Sequence, residues 1–420
     1  MVIGFLGLGK LGLPVALAIE SKGHKIIGLD ISKETIQNIK KRKINYKEIW
    51  IDKFLPKTKL DIVDIENLVR KSEIIFVPIQ TPHQEKYEGI TRIPGTRADF
   101  DYSYLKQGMK QLSKEIERQK KDVIVIIIST VLPGTIRKEI KPLLNSHVKL
   151  CYNPFFIAMG SAMKDFLEPE FILFGVDDLL ALKKSKEFYK TISNAQFFDT
   201  TLENAELIKV AYNTMISTKI AFANTLMEIC HHLPNTNVDE VTNALKLANK
   251  RLISTSYMSG GMGDGGGCHP RDNIAMSYLS KKLKLSFNWF ENIMRQRENN
   301  TEWLAKLIIK HARGMKVNIL GKTFKAESNL TLGSPAILLK NILKEKKIRV
   351  NQWDPYVDGN YNFYKKKYQW NKPQLFFIAT QHPEFENFKF PKNSIVIDPW
   401  RYLSEDKNIK LIKVGVNKNN

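Results

Sequence analysis

The sequence predicts an α/β protein made of two doubly wound parallel sheets, joined by a long central helix and a helical connector. Apolar strand-like runs alternate with amphipathic stretches near the N-terminus, almost vanish over residues 202–313, and then return. Such alternation is typical of a parallel sheet covered by helices. We therefore expect an N-terminal domain (1–200), a central helical region (201–313) and a smaller C-terminal domain (314–420).

The N-terminal domain should begin with a βαβα unit. The runs VIGFLGLG and KIIGLD predict strands, and the stretches LGLPVALAIESKG and ISKETIQNIKKRK predict the helices that follow them. Continuous apolar runs of this length are typical of buried parallel strands. Further strands are predicted at 73–79, 122–129, 148–153 and 171–176, with a helix over YSYLKQGMKQLSKEIERQ.

The central region contains one long helical pattern, residues 202–233. A helix of this length with apolar residues on more than one face usually packs on more than one side. Beyond it, apolar runs predict a second set of strands at 316–321, 348–354, 374–380 and 394–399.

The composition excludes several classes of protein. A chain of 420 residues is not a small stapled scaffold, and three scattered cysteines are too few for a disulfide framework or a tetrahedral zinc site. We therefore expect a reducing, cytoplasmic setting and no metal. No apolar run approaches about 18 residues, so we expect no membrane segment. The first run has no preceding basic residues and no cleavage site, which predicts a buried strand.

The formal net charge of +22 arises from 65 lysines and arginines against 43 acidic residues. Such a field favours nucleic acid, anionic membranes or phosphorylated small molecules. The basic residues are spread along the chain and do not interleave with aromatic residues, a pattern typical of solvated helix faces. We therefore do not expect nucleic acid as a partner.

A glycine-rich turn, GLGKLG, follows the first predicted strand and opens the first predicted helix. Gly7, Gly9 and Gly12 allow a tight turn, close approach of the backbone to a pyrophosphate, and close packing of helix against strand. Asp30 ends the second strand, 18 residues after Gly12, where its carboxylate can bind the adenosine ribose and would repel a 2′-phosphate. The sequence therefore predicts a Rossmann-like domain that binds NAD.

Lys209 and Asn213 in the long helix are four residues apart and so share one face. An ammonium and an amide side by side can hold a substrate oxygen and stabilise negative charge that develops on it. The same spacing is common on solvated helix faces, so the pair alone leaves both interpretations open.

The stretch GGMGDGGGCHPRDN, residues 260–273, surrounds a single cysteine with glycines. Glycines permit positive φ angles and close approach of the backbone to a ligand, at a cost in conformational entropy. Pro270 suits the first turn of a helix, which places Cys268 at the helix N-terminus, where the thiolate is favoured. Asp272, just inside that helix, could order a water or relay a proton. A structural cysteine in a tight turn is the alternative.

These features together resemble the nucleotide-sugar 6-dehydrogenases, the family of UDP-glucose and GDP-mannose dehydrogenases. The resemblance covers nearly the whole chain, and the motifs occur in family order. They are GLGKLGLP (7–14), VPIQTP (77–82), STVLPGT (129–135), NPFFIAMGSAMKDFLEPE (153–170), KVAYN (209–213), IAFAN (220–224), GGGCHPRD (265–272), ILGKTFK (319–325) and WDPYV (353–357).

The resemblance implies two successive NAD-dependent oxidations of a nucleotide sugar at C6, through an aldehyde and a cysteine thioester, to the uronic acid. It also implies a homodimer built on the long helix. Carried over by motif, Cys268 resembles the nucleophile, and Lys209 and Asn213 resemble the oxyanion and sugar contacts. Asp272 and Thr130 resemble the proton-relay pair.

Binding residues for cofactor and substrate are implied in the same way, and a basic site for a diphosphate fits the positive charge of the chain. The expected cofactor contacts are Gly7, Gly9, Lys10, Leu11, Gly12, Asp30, Thr81 and Thr130. The expected substrate contacts are Lys209, Asn213, Arg251, Gly265, Phe324 and Lys325.

Several positions depart from the family pattern. After Asn-Pro the family has a glutamate implicated in thioester hydrolysis, and often a second one four residues later, whereas this chain has Phe155 and Met159. The family's FKxxxxDxRxSP appears as FKAESNLTLGSP, so Leu330 and Leu332 replace its aspartate and its cofactor-contacting arginine. Arg271 stands where lysine is commonest, and the glycine loop is one residue longer. The departures therefore fall at positions that the family uses for binding and for thioester hydrolysis.

Three hypotheses follow from the sequence. The first is a divergent nucleotide-sugar dehydrogenase in which Asp272 or another residue activates the water. The second is a dehydrogenase of the hydroxyacid or 6-phosphogluconate type, which shares the glycine fingerprint and a KxxxN helix. The third is an NAD-binding protein whose turnover is lost or stops at the aldehyde.

Overall fold

Two parallel sheets with covering helices carry the fold in the computed structural model, which describes residues 1–92, 94–249, 257, 259–282 and 288–417. The strands are β1 (Val2–Leu6), β2 (Lys25–Leu29), β3 (Asp61–Ile62), β4 (Ile74–Val77), β5 (Val123–Ile127), β6 (Val148–Tyr152), β7 (Ile172–Gly175), β8 (Phe197–Thr200), β9 (Thr236–Asn237), β10 (Val317–Leu320), β11 (Val350–Trp353), β12 (Leu375–Ile378), β13 (Ile395–Asp398), β14 (Lys410–Lys413) and β15 (Val416–Asn417). The helices are α1 (Gly12–Ser21), α2 (Lys33–Lys40), α3 (Ile51–Phe54), α4 (Ile65–Lys71), α5 (Ser103–Gln119), α6 (Ala162–Leu167), α7 (Leu179–Tyr189), α8 (Leu202–His232), α9 (Val238–Leu247), α10 (His269–Lys282), α11 (Trp289–Ala312), α12 (Pro335–Glu345) and α13 (Tyr361–Lys367).

The chain divides into two units. The first comprises Met1–Pro82 and Phe100–Tyr212, and the second comprises His83–Asp99 and Asn213–Asn420. The segment 83–99 therefore belongs with the second unit although it lies within the N-terminal part of the sequence.

The first unit contains an eight-stranded sheet in the order β3-β2-β1-β4-β5-β6-β7-β8. Every residue of β4 and β5 is buried, because strands covered on both faces by helices have no solvent-facing side. The strand order reverses between β1 and β4, and the carboxyl ends of strands at such a switch point are where doubly wound sheets bind ligands. The predicted α/β class is confirmed.

One pair in this sheet differs from the purely parallel arrangement that we predicted. β6 and β7 are antiparallel, with Tyr152 opposite Gly175. The connection between them, residues 153–171, contains only the six-residue helix α6. After it the chain re-enters the sheet from the same edge that it left.

The second unit contains a five-stranded sheet in the order β11-β10-β12-β13-β14, in which all pairs are parallel. Four of its strands coincide with the predicted runs. β14 was not predicted because its KLIK sequence begins and ends with lysine and is only half-buried. A short antiparallel pair, β9 with β15, lies outside this sheet.

The predicted long helix is confirmed as α8. One face of it carries buried polar residues at helical spacing, Glu206, Lys209, Asn213 and Ser217. Polar side chains at positions i, i+3, i+7 and i+11 lie on one stripe of a helix. In the described parts of the chain, no helix is both long enough and apolar enough to cross a membrane.

The turn between β1 and α1 depends on Gly12. A Cβ built there would lie 2.3 Å from the Gly7 carbonyl oxygen, whereas a Cβ at Gly9 would have nothing within 4 Å. Gly12 therefore allows the turn to pack closely, whereas Gly9 keeps its outer surface open.

We expect Gly12→Ala to destabilise the first unit by about 2 kcal/mol, because the added methyl group overpacks the turn. This corresponds to a fall in Tm of about 5 °C for a unit of this size. Gly9→Ala is the matched control and should leave Tm unchanged. Equal Tm values for the two variants in a thermal melt would contradict this account of the turn.

Candidate active site

The glycine turn and the end of β2 form one hydrogen-bonded unit. The Gly7 N–H donates to the Leu29 carbonyl at 2.8 Å, and the Leu8 N–H donates to Asp30 Oδ2 at 2.7 Å. Gly7 has a φ of 119°, in the left-handed region that favours glycine. The carboxylate of Asp30 is thus fixed against the turn at the carboxyl end of its strand, where the sequence predicted it.

The residues of this turn fit NAD. The space beside Gly9 is open, so a pyrophosphate can reach the backbone there. Lys10 is exposed and Leu11 is half-buried immediately before α1, whose N-terminus favours an anion. Asp30 retains acceptor capacity for a ribose hydroxyl, since each carboxylate oxygen has two lone pairs.

Thr81 and Thr130 lie just beyond the carboxyl ends of β4 and β5. The Thr81 hydroxyl donates to the Thr130 carbonyl at 2.7 Å, and the Ser129 hydroxyl donates to the Ile79 carbonyl. The two loops are therefore tied together at the edge of the sheet where ligands bind.

Glu206 on α8 fixes the STVLPGT loop that contains Thr130. Its buried carboxylate accepts hydrogen bonds from the N–H groups of Gly134 at 2.5 Å and Ile136 at 2.7 Å. Burial raises the pKa of Glu206 to about 7, although these two donors act in the opposite direction. One turn later, the ammonium of Lys209 lies 5.3 Å from the centre of the Phe156 ring, within the range of a cation–π contact.

In the second unit the structure brings Cys268, Asp272 and Asn213 together. Cys268 immediately precedes α10, and the Asp272 N–H donates to its carbonyl at 2.8 Å. Asp272 is fully buried, and the Asn213 side-chain amide donates to its carboxylate. Cys268 is half-buried, whereas Cys151 and Cys230 are buried. The more accessible thiol is therefore the one at a helix N-terminus.

The loop before Cys268 is anchored at several points. Asn224 on α8 accepts from the Gly261 N–H at 2.8 Å and donates to the Met262 carbonyl at 3.2 Å. Ser217, two turns earlier, donates to Asp264 Oδ2 at 2.9 Å. The Arg401 guanidinium donates to the Gly260 carbonyl at 2.8 Å. α8 thus holds the loop along the same helix face that contains Asn213.

The glycines of this loop are required by close packing. A Cβ at Gly261 would lie 2.3 Å from the Trp400 ring, and one at Gly265 would lie 2.4 Å from Phe324 Cβ. A Cβ at Gly267 would lie 2.9 Å from Leu332. The expected substrate contact Phe324 therefore packs directly on Gly265, whereas the neighbouring Lys325 is exposed.

One predicted substrate contact, Arg251, lies outside the described residues.

The residues that depart from the family pattern differ in their exposure to solvent. Leu330 and Arg271 are half-buried, and Leu332 is 49% exposed beside the glycine loop. Met159 is half-buried.

Phe155, at a position where the resemblance implies a glutamate, is half-buried in the first unit. Its ring lies 5.3 Å from Phe166 and 6.3 Å from Phe76, and it packs against the buried core. Position 155 is therefore a packing position in this chain.

Several positioning residues were missed by reasoning from the sequence. Lys209 and Asn213 were singled out, but the same buried stripe continues to Glu206, Ser217 and Asn224. The signal was available, since all five are polar residues at helical spacing in a helix that is otherwise largely apolar.

Comparison with known proteins places the chain in a family. Residues 1–193 match the NAD binding domain of the UDP-glucose/GDP-mannose dehydrogenase family, and residues 203–300 match the central domain of the same family. The UDP-glucose 6-dehydrogenase of Rickettsia conorii is 27% identical over 98% of this chain and 98% of its own. The GDP-mannose 6-dehydrogenase of Pseudomonas aeruginosa is 26% identical over 85% of this chain and 82% of its own.

A solved structure supports the fold. The UDP-glucose dehydrogenase of Pyrobaculum islandicum superposes with a TM-score of 0.86 at 23% identity, covering 99% of this chain and 98% of that one. The two matched domains, which together cover more than half of the chain, show that it belongs to the UDP-glucose/GDP-mannose dehydrogenase family and is an NAD-dependent oxidoreductase acting on CH–OH groups.

Proposed function

We propose that this protein oxidises a UDP- or GDP-hexose at C6 to the uronic acid, with two molecules of NAD consumed for each sugar. The observation that carries the proposal is the grouping of Cys268, Asp272 and Asn213 at the start of α10. A thiol at a helix N-terminus with a buried carboxylate one turn away suits capture and release of an acyl group. The names of the relatives support a nucleotide sugar as substrate.

The reaction proceeds in two oxidations and one hydrolysis. In the first oxidation C6 loses a hydride and its hydroxyl loses a proton, which gives the aldehyde. The Cys268 thiolate adds to the aldehyde carbon, and the oxygen takes up a proton to give a thiohemiacetal. Loss of a hydride from carbon and a proton from oxygen then gives the thioester. Water adds to the thioester carbon, the C–S bond breaks, and the carboxylate leaves with the thiolate restored.

The side chains on α8 and α10 have separate roles in these steps. Lys209 and Asn213 stabilise negative charge on the substrate oxygen, as preorganised donors do in acyl transfer. Asp272 accepts the proton of the attacking water, while its hydrogen bond from Asn213 orients the carboxylate. Thr130 completes the proton relay. Because Phe155 cannot accept a proton, this role passes to Asp272.

The glycine turn of the first unit would hold the cofactor. When bound, NAD supplies the acceptor for both hydrides. Gly7 and Gly9 with the backbone of Lys10 and Leu11 would hold the pyrophosphate, and Gly12 would allow the close packing of the turn. Asp30, Thr81 and Thr130 would hold the remaining parts of the cofactor.

Gly265 and Arg251 of the central region and Phe324 and Lys325 of the C-terminal domain would form part of the site for the sugar nucleotide. The exposed ammonium of Lys325 is suited to a diphosphate, because a compact positive charge on a flexible stem pairs readily with phosphate oxygens. We retain the division into a NAD-binding domain (1–200), a central region (201–313) and a sugar-nucleotide domain (314–420) as part of this proposal.

The proposed working form is a homodimer assembled through α8. Leu207, Met215 and Phe222 lie on one side of this helix and are 42%, 46% and 50% exposed. Large apolar side chains spaced by two helical turns form an apolar stripe, and leaving such a stripe exposed to water is unfavourable. A second copy of the same helix offers the same stripe, which suits a twofold interface. The three free cysteines support a reducing, cytoplasmic location.

Purified protein is incubated with NAD and each member of a panel of UDP- and GDP-hexoses. With the hexose that is its substrate, we expect close to two NADH to be released for each uronic acid formed. NADH absorbance and mass spectrometry of the sugar products measure this ratio. One NADH with accumulation of the aldehyde would place a defect at the second oxidation, whereas a defect in hydrolysis would leave a sugar thioester on Cys268. Reduction of NAD by a hydroxyacid but by no sugar nucleotide would contradict the proposal.

We expect Cys268→Ser to lower uronic acid formation by about 10³-fold with Tm unchanged, because the thioester cannot form. Cys230→Ala is the matched control and should retain activity, since Cys230 is buried in a hydrophobic cluster. Iodoacetamide should inactivate the wild type in step with a single carbamidomethyl group on Cys268. Normal turnover in Cys268→Ser would remove the thiol from the mechanism.

We expect Met215→Arg to convert the dimer into a monomer, because it places a charge in the apolar stripe. Light scattering after size exclusion should give twice 48.4 kDa for the wild type and 48.4 kDa for the variant. Leu247→Arg on α9 is the control, since Leu247 is 83% exposed and lies off the stripe. A wild-type monomer, or a variant of unchanged mass, would exclude this interface.

A further inference from the structure

A single buried arginine on α11 connects three loops of the second unit. Arg297 donates from Nε to the Asp264 carbonyl at 3.0 Å, from Nη1 to the Gly89 carbonyl at 2.8 Å, and from Nη2 to the Gly333 carbonyl at 2.9 Å. Its Nε also lies 2.8 Å from Asp264 Oδ1. These carbonyls belong to the segment 83–99, the glycine loop and the loop before α12.

The burial of this ion pair has a physical consequence. The side chains of Arg297 and Asp264 are only 3% and 4% exposed. A desolvated guanidinium and carboxylate are stable only when their geometry is good and their remaining donors and acceptors are satisfied. Removing one partner or misaligning the pair is therefore costly, and the three loops are held in one arrangement.

The backbones of these three loops are also closely packed against one another and against α10. Gly333 has a φ of 63°, and a Cβ there would lie 2.4 Å from the Gly266 carbonyl oxygen. A Cβ at Gly89 would lie 2.4 Å from Pro270 in the first turn of α10. Close-packed backbones transmit a shift of one loop to the next, and Cys268 lies between Gly266 and Pro270.

We propose that Arg297 is a positioning residue for Cys268. Through Asp264, Gly89 and Gly333, its guanidinium fixes the glycine loop so that the thiol stays at the N-terminus of α10. The planar, five-donor fork of arginine makes these bonds, whereas the ammonium of lysine has neither that reach nor that geometry. The catalytic consequence rests on the proposed function, but the effect on the thiol itself does not.

The test compares Arg297→Lys with the wild type in two ways. Without cofactor or sugar, the rate at which iodoacetamide alkylates Cys268 should rise at least about fivefold, because the loop opens more often. With NAD and the sugar nucleotide, kcat should fall about 100-fold while KM changes less than about threefold, as expected for misplacement of the nucleophile by about 1 Å. Arg295→Lys is the control, because Arg295 lies on the same helix and is 65% exposed.

The two measurements separate failure of this inference from failure of the proposed function. If the wild type oxidises no sugar nucleotide but alkylation accelerates in Arg297→Lys, the proposed function fails and the positioning role stands. An unchanged or slower alkylation rate, with only Tm lowered, overturns the positioning role and leaves a purely structural one.

A second variant covers the case in which Arg297→Lys does not fold. Asp264→Asn keeps the shape of the side chain and removes the negative charge that lies 2.8 Å from Arg297 Nε. Loss of this charge should loosen the hold of Arg297 on the same loop more mildly, so we expect alkylation to accelerate at least about twofold. Alkylation at the wild-type rate in this variant would overturn the proposal.

Discussion

The buried polar stripe of α8 is the constraint on which the candidate site depends. Glu206, Lys209, Asn213, Ser217 and Asn224 are all removed from solvent, and a buried polar group is costly unless it has a partner. In the first unit Glu206 accepts hydrogen bonds from the STVLPGT loop. In the second unit Asn213 donates to Asp272 on α10, and Ser217 and Asn224 bond to the glycine loop. The hydrogen bonds of this helix therefore hold each of these segments in place.

Much of the fold was predictable because it depends on local patterns. The strands β4, β5 and β12 are short apolar runs that are buried on both faces, and α8 repeats its pattern over many turns. The turn after β1 combines three glycines with a downstream aspartate at a fixed spacing. Such signals lie within about 30 residues of sequence, which is the range over which periodicity and turn chemistry act.

The remaining features depend on residues far apart in sequence and could not be derived in this way. Nothing near Arg297 indicates that its guanidinium meets Gly89 and Gly333, because those partners are 208 and 36 residues away. The glycines before Cys268 suggested approach to a ligand, but their immediate neighbours are Trp400, Phe324 and other side chains of the same unit. Long-range packing determines such contacts, and one sequence does not reveal it.

Phe155 stands where the resemblance implies a glutamate. In this chain its ring packs in an aromatic cluster with Phe76 and Phe166, and a phenylalanine side chain cannot accept a proton. The hydrolysis that we propose therefore uses a base elsewhere, and Asp272 is buried, accepts a hydrogen bond from Asn213 and lies one helical turn from Cys268. In the proposed mechanism the base lies in the first turns of α10 and the nucleophile immediately precedes that helix, so the position of the glycine loop would govern both capture of the aldehyde and release of the acid. The proposed anchoring of that loop by Arg297 would therefore act on both steps.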